Sequence, residues 1–248
     1  MKIIISPAKK MNIDTETIGC QNKPPFLEKT ETLMEWMKTL SYEEAKNIWK
    51  CNHKIAMQNI ERLRTMNLHQ QLTPALLSYE GIQYQYMAPH IFSDSQWNYV
   101  QEHLRILSGF YGILRPLDGV TPYRLEMQAK INLNGCRSLY AYWGEDLYQN
   151  LTKESNCILN LASKEYAKAI EKYATPDVHL ITCIFGEWKD GKIVQKGTLA
   201  KMARGEMVRH LATCEATTLE QVKQFRGLDF SFSESHSTEH EFIFLRNG

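Results

Sequence analysis

Cations at structurally special positions are the first residues whose chemistry stands out. Lys9 follows the apolar run of "KIIISPAKKM", just past the end of a predicted buried strand, where α/β proteins place ligand-contacting groups. A lysine there contacts a phosphate or, if desolvated, acts as a base or nucleophile; a solvated surface lysine is the structural alternative. The stretch "RILSGFYGILRPLDGVTPYRLEM", Arg105 to Met127, gathers three arginines, two prolines and three glycines. Arg115 and Arg124 flank its proline-bounded turn. Their forked donors could hold an anion between them, or pair with Asp118 and Glu126 to fix the loop, and both readings stand. If "YRLEM" is extended, Arg124 and Glu126 share one face, opposite Tyr123, Leu125 and Met127.

Three further features suit anions. Gly109 and Gly112 sit in a hydrophobic-x-Gly-hydrophobic-x-Gly pattern, in which glycines permit close backbone approach and amides can face a phosphate. Ser163 of "NLASKEY" is a predicted N-cap that opens an anion seat at a helix start. On "LAKMARGEMVRH", Lys201, Arg204 and Arg209 fall within an arc of roughly 140° at 100° per residue, opposite Ala203, Met207 and Leu211. Gly205 costs about 1 kcal/mol in a helix interior, which points to a close backbone or ligand approach. The histidines do not assemble a metal site: His236 and His240 lack the helical H-E-x-x-H order. Nucleophile-elbow, Walker and dinucleotide fingerprints are absent from the sequence.

The elements that must position these residues alternate between strand and helix. "KIIIS" reads as a buried strand, Leu27 to Leu40 as a helix, and Ser41 with Glu44 as a capping box opening an amphipathic segment to about Met66. "IQYQYM" alternates like a half-buried strand. Ser93 with Gln96 caps a helix expected to run to about Leu114, since Pro116 biases Arg115 away from helix. "CILNLA" and "VHLITCIF" read as strands, "KDGK" as a hairpin turn into "IVQKGT", Leu199 to Ala212 as a helix, and "LDFSFS" with "EFIFLR" as a closing hairpin. Without an internal repeat or linker, residues 1–248 are predicted to form one mixed α/β (α+β) domain, a mixed sheet surrounded by helices.

Composition narrows the function classes. With 43% hydrophobic and 23% charged residues the chain is of globular type. Its apolar runs are too short for a membrane span or a signal peptide, so a cytosolic location without membrane partner is expected. The six cysteines are at least 21 residues apart, so neither zinc nor disulfide is expected, and no cofactor is implied. A net charge of +1 restricts any polyanion to a local patch, such as the six cations against two acids between Lys189 and Arg209.

Taken together, "ISPAKKM", the Arg105–Met127 stretch, "NLASKEY", "AKMARGEMVRH" and the "EFIF" ending resemble the YaaA family of bacterial peroxide-stress proteins over nearly the whole chain. The resemblance implies a cytosolic protein that limits iron-driven oxidative damage. It also implies binding to double-stranded or branched DNA through a positively charged cleft and a helix-hairpin-helix on a mixed α/β fold. Many members are acidic at the position after Gly81, where this chain has Ile82. On that basis Lys9, Gly109, Gly112, Arg115, Arg124, Ser163, Lys201, Arg204 and Arg209 are the predicted DNA or anion contacts. The alternative is an enzyme acting on a small anionic or nucleic-acid substrate in a pocket containing Lys9, Arg115, Arg124 and Glu126. A closed pocket with Lys9 in hydrogen-bond reach of Glu126 would favour it; cations strung along an open cleft would favour DNA.

Overall fold

The run Lys2–Ile5 forms a fully buried central strand, β1, in the computed structural model, which describes residues 1–246. Around it stand β2 (Leu104–Ser108), β3 (Gly112–Leu114), β4 (Cys157–Leu161), β5 (His179–Lys189), β6 (Lys192–Val194), β7 (Phe230–Phe232) and β8 (Glu241–Arg246). The spatial order is β7-β8-β5-β4-β1-β2-β3, with β6 paired to β5. Five of these strands, β2-β1-β4-β5-β8, run parallel to their neighbours. The antiparallel strands β3 and β7 close the two edges. The parallel strands, counted along the chain, lie in the order 2-1-3-4-5. In such a sheet the connections diverge between strands 1 and 3, and the crevice beyond their carboxyl ends is where ligands bind.

The helices are α1 (Leu27–Lys38), α2 (Tyr42–Trp49), α3 (His53–Thr65), α4 (Ala75–Ser78), α5 (Ile82–Met87), α6 (Asp94–His103), α7 (Leu139–Trp143), α8 (Asp146–Thr152), α9 (Lys164–Glu171), α10 (Gly197–Thr213) and α11 (Leu219–Lys223). Both predicted capping boxes form, Ser41 with Glu44 at α2 and Ser93 with Gln96 at α6. The amphipathic segment to Met66 is two helices, because Lys50 turns left-handed (φ 44°) and Asn52 caps α3 afresh.

Two predicted elements change type. "IQYQYM" is α5, packed on α10 where Gly205 leaves no room for a side chain: a Cβ there would lie 2.1 Å from the Gln83 carbonyl oxygen. The helix expected to reach Leu114 ends at His103. Beyond it "LRILS" pairs in parallel with β1 and turns into β3, so the Gly109–Gly112 segment is a β-hairpin and not a helix-hairpin-helix. The cause is local and clear. Ser108 Oγ accepts the Phe110 and Tyr111 amides to hold the turn, and Gly112 adopts φ +75°, which a helix does not allow.

Candidate functional site

The carboxyl ends of β1 and β4, the two strands at the divergence point, open into a cavity of about 430 Å³. From β1 come Ser6 to Lys10; from the end of β4 come Ser163, Glu165 and Tyr166. Residues Glu80 to Tyr84 lead into α5, Tyr123 to Glu126 cross as an extended segment, and α10 contributes Lys201 and Arg204. Four of the predicted cations, Lys9, Arg124, Lys201 and Arg204, therefore share one concavity with Ser163. The expected alternation of "YRLEM" also forms: Tyr123, Leu125 and Met127 are buried, while Arg124 and Glu126 remain partly exposed.

Gly109 sets where that segment lies. A Cβ on Gly109 would stand 2.4 Å from the Leu125 carbonyl oxygen and 2.9 Å from the Glu126 carbonyl carbon, so the chain carrying Arg124 and Glu126 rests directly on the glycine. The Trp143 indole donates to the Gly109 carbonyl oxygen at 3.0 Å and holds it from the other side. Gly112 is likewise buried, facing Trp143 and Leu147. Neither glycine presents an amide to the cavity, so their predicted role as phosphate contacts is replaced by a packing role.

The charges inside the cavity are unevenly matched. Glu126 Oε1 accepts Lys9 at 3.0 Å and Arg124 at 3.5 Å. Lys10 pairs with Glu80 at 2.8 Å. Lys201 and Arg204 have no carboxylate partner among the described residues. Arg204 is the more telling, because its Nε is buried without any hydrogen-bond partner and burial pushes the guanidinium pKa down. A partly buried charge is normally paired, and a cavity-lining guanidinium without an acceptor leaves room for one. Glu165 lies beside this group and accepts the Gln128 amide at 3.2 Å. Burial, reinforced by the nearby Glu126 charge, raises its pKa, so it holds a proton to higher pH than an ordinary glutamate.

Tyrosines complete the floor. Tyr84 donates to the Ser6 carbonyl oxygen at 2.9 Å, and Tyr123 is bound to Ser108 Oγ at 2.6 Å and to Tyr79 at 2.8 Å. Their rings accordingly offer carbon, not hydroxyl, to the cavity, beside Pro7, Ala8, Ile82 and Leu125.

Arg115 departs from its predicted place. It is exposed, binds Glu154 at 2.7 Å, and lines a separate cavity of about 270 Å³ with Arg105 and Asp118. Glu154 also takes Arg105 and Lys2, so three cations converge on one carboxylate. Burial pushes Glu154 up, but the Lys2 hydrogen bond and the Arg105 and Arg115 guanidiniums outweigh it and hold the pKa at about 2. Asp118 accepts the Arg115 backbone amide at 2.8 Å, and burial lifts its pKa to about 6. Arg115 is thus a structural ion-pair member, and the long-range partner Glu154 is what local sequence could not supply. Arg209 does not line the main cavity either. Sequence reasoning missed Ser6, Gln83, Tyr84 and Glu165. Ser6 adjoins the Lys9 motif and Glu165 lies inside "NLASKEY", whereas Gln83 carried no signal in a segment read as a strand.

The fold and cavity together define an α/β protein with a cation-lined cavity at the divergence point of its sheet. The chain belongs to the family described as peroxide stress protein YaaA, which it matches over residues 1–236. It is 57% identical over 246 residues to a UPF0246 protein of Lachnoclostridium phytofermentans, covering 99% of this chain and 96% of that one. A UPF0246 protein of Desulfitobacterium hafniense is 52% identical over 246 residues (99% and 98% covered), and one of Pediococcus pentosaceus 48% over 247 (100% and 98% covered). Among the described residues no helix is long and apolar enough to cross a membrane, and no three His, Cys, Asp or Glu side chains gather to hold a metal ion.

Proposed function

We propose that this peroxide-stress family member is an enzyme that binds a small anionic substrate in the cavity between β1, β4 and α10. The observation that carries the reading is the unpartnered Arg204 guanidinium, its Nε buried, in the same cavity as the Lys9–Glu126 pair. Arg204 and Lys201 would take the anion, while Glu165, which keeps its proton to higher pH than an ordinary glutamate, and the Lys9–Glu126 pair lie in the same cavity for acid–base work. A perturbed carboxyl such as Glu165 beside an unpaired cation in a cleft is a usual mark of an active site. The test is thermal unfolding of the intact chain against a panel of small anions at constant ionic strength. Stabilisation by one or more anions, lost in Arg204→Gln, is expected; equal, weak effects on both proteins would refute the reading.

A second reading, double-stranded or branched DNA bound in response to peroxide and protected from iron-driven damage in the cytosol, has one observation in its favour. Lys9 and Lys10 are 65% and 74% exposed at the cavity rim, and Lys201 is exposed beside them. Such cations can follow a phosphate backbone, and each one lost would flatten the slope of log affinity against log salt by about 0.9. Arg204 is only partly exposed, with its Nε buried, so it is less accessible to a duplex than the rim lysines. A slope reduced by Lys201→Ala and unchanged by Arg204→Ala would place DNA on the rim alone; a slope unchanged by both would remove these residues from DNA binding.

A further inference from the structure

Three side chains that line the cavity each carry a hydrogen-bond donor without an acceptor among the described residues. Arg204 Nε is the first. The second is Gln83, only 7% exposed, whose Nε2 is buried without a partner among the described residues. The third follows from proton accounting at the two serines. The Ser163 amide donates to Ser6 Oγ at 2.8 Å, so the Ser6 hydroxyl is left to donate to Ser163 Oγ at 3.2 Å. That arrangement leaves the Ser163 hydroxyl proton unused, and Ser163 makes no cap bond to its own helix. With the unpaired ammonium of Lys201, the donor set calls for a compact group with several acceptor oxygens and close to two negative charges, which describes a phosphate monoester.

The remaining space has a different character. It exceeds what a phosphate alone fills, and it is walled by Pro7, Ile82, Leu125 and the ring of Tyr84, whose hydroxyl is already committed. Glu165, and the lone pairs of Glu126 that Lys9 and Arg124 leave open, are the acceptors there. Apolar walls with carboxyl acceptors suit a flat heterocycle bearing N–H groups better than a bare sugar phosphate, which would leave the apolar walls unused. We propose that the substrate is a nucleoside monophosphate, its phosphate on Arg204, Gln83, Ser163 and Lys201 and its base toward Glu126 and Glu165. This assignment rests on the anion-pocket reading above and names the chemistry of its ligand. The same chemistry has two sources, a free nucleotide or a single unstacked nucleotide of a strand. The dianionic monoester matches the two surplus cations, so the free nucleotide is the expected form.

The test is titration calorimetry of the full chain with the common nucleoside 5′-monophosphates, the matching nucleosides, inorganic phosphate, ribose 5-phosphate and a short single-stranded oligonucleotide. At least one nucleotide should bind tenfold or more tightly than its nucleoside, than phosphate and than ribose 5-phosphate. Gln83→Leu and Lys201→Gln should each weaken the nucleotide at least fivefold and leave the nucleoside unchanged. Lys201 is exposed, so its variant keeps the test valid if Gln83→Leu does not fold. Nucleotide binding no tighter than phosphate, with phosphate binding still dependent on Arg204, would overturn the nucleotide and leave the anion pocket standing. Absence of binding by every phosphate would overturn both, and an oligonucleotide that outcompetes every mononucleotide would overturn the free-nucleotide assignment.

Discussion

Gly109→Ala is the sharpest perturbation the structure offers, because the added methyl meets backbone and not a movable side chain. Its Cβ would lie 2.4 Å from the Leu125 carbonyl oxygen, 2.9 Å from the Glu126 carbonyl carbon and 3.0 Å from the Met127 nitrogen. Ordinary contact begins near 3.4 Å, so the Tyr123–Met127 segment must retreat by about 1 Å. Overpacking of this kind costs about 1–3 kcal/mol. In a chain of this length each kcal/mol lowers the unfolding temperature by about 2–4 °C, so a drop of roughly 2–12 °C is expected. The same retreat carries Arg124 and Glu126 away from Lys9, and a misplacement of about 1 Å can cost about a hundredfold in a catalytic step. Circular-dichroism melts of wild type and Gly109→Ala, with ligand titration well below both midpoints, read the two effects separately. An unfolding temperature within about 1 °C of wild type would refute the packing argument. Loss of DNA binding at unchanged stability would return Gly109 to the phosphate-contact role expected from sequence.

Three other outcomes follow from the second cavity. Asp118 has a folded pKa of about 6 against 3.8 for the free side chain, so its contribution to stability is full below the lower value and lost as pH rises through the higher. On going from pH 7 to pH 4.5, wild type should therefore gain on the order of 2 kcal/mol relative to Asp118→Asn in urea unfolding, and parallel profiles would contradict the burial argument. Glu154→Ala should destabilise by about 3 kcal/mol, because it strands Lys2 and the buried Arg105 without their shared carboxylate; a change under 1 kcal/mol in the same assay would show the network to be dispensable. Arg115→Ala should leave ligand affinity in the main cavity unchanged by calorimetry, and a fall of fivefold or more would put Arg115 back into the site.

The sequence carried the parts of the site that depend on local periodicity. Arg124 and Glu126 were legible as one face of an extended segment, Lys9 as the residue past a buried strand, and Ser41–Glu44 and Ser93–Gln96 as helix starts. What depended on tertiary context was not legible. "LRILSGFYGIL" is buried on every side, so its strands lack the alternation that separates them from a buried helix. "IQYQYM" is only six residues, too short to distinguish a two-residue period from a helix, and its state is decided by packing against Gly205 of α10. Arg115 meets a carboxylate 39 residues away, beyond any local pattern. The surplus charge on Arg204 became visible only once Glu80 and Glu126 were seen to be taken by Lys10, Lys9 and Arg124.

The central claim, that the divergence point of the sheet is an anion site built around Arg204, is tested most directly by anomalous diffraction from crystals soaked in selenate, a tetrahedral dianion of phosphate-like shape. The account predicts the strongest selenium peak inside the main cavity, within hydrogen-bond distance of the Arg204 guanidinium and Ser163 Oγ, and its disappearance in Arg204→Gln crystals. Peaks confined to the Arg105–Arg115 cavity or to the lysines of the β5–β6 hairpin, with none at Arg204, would contradict it.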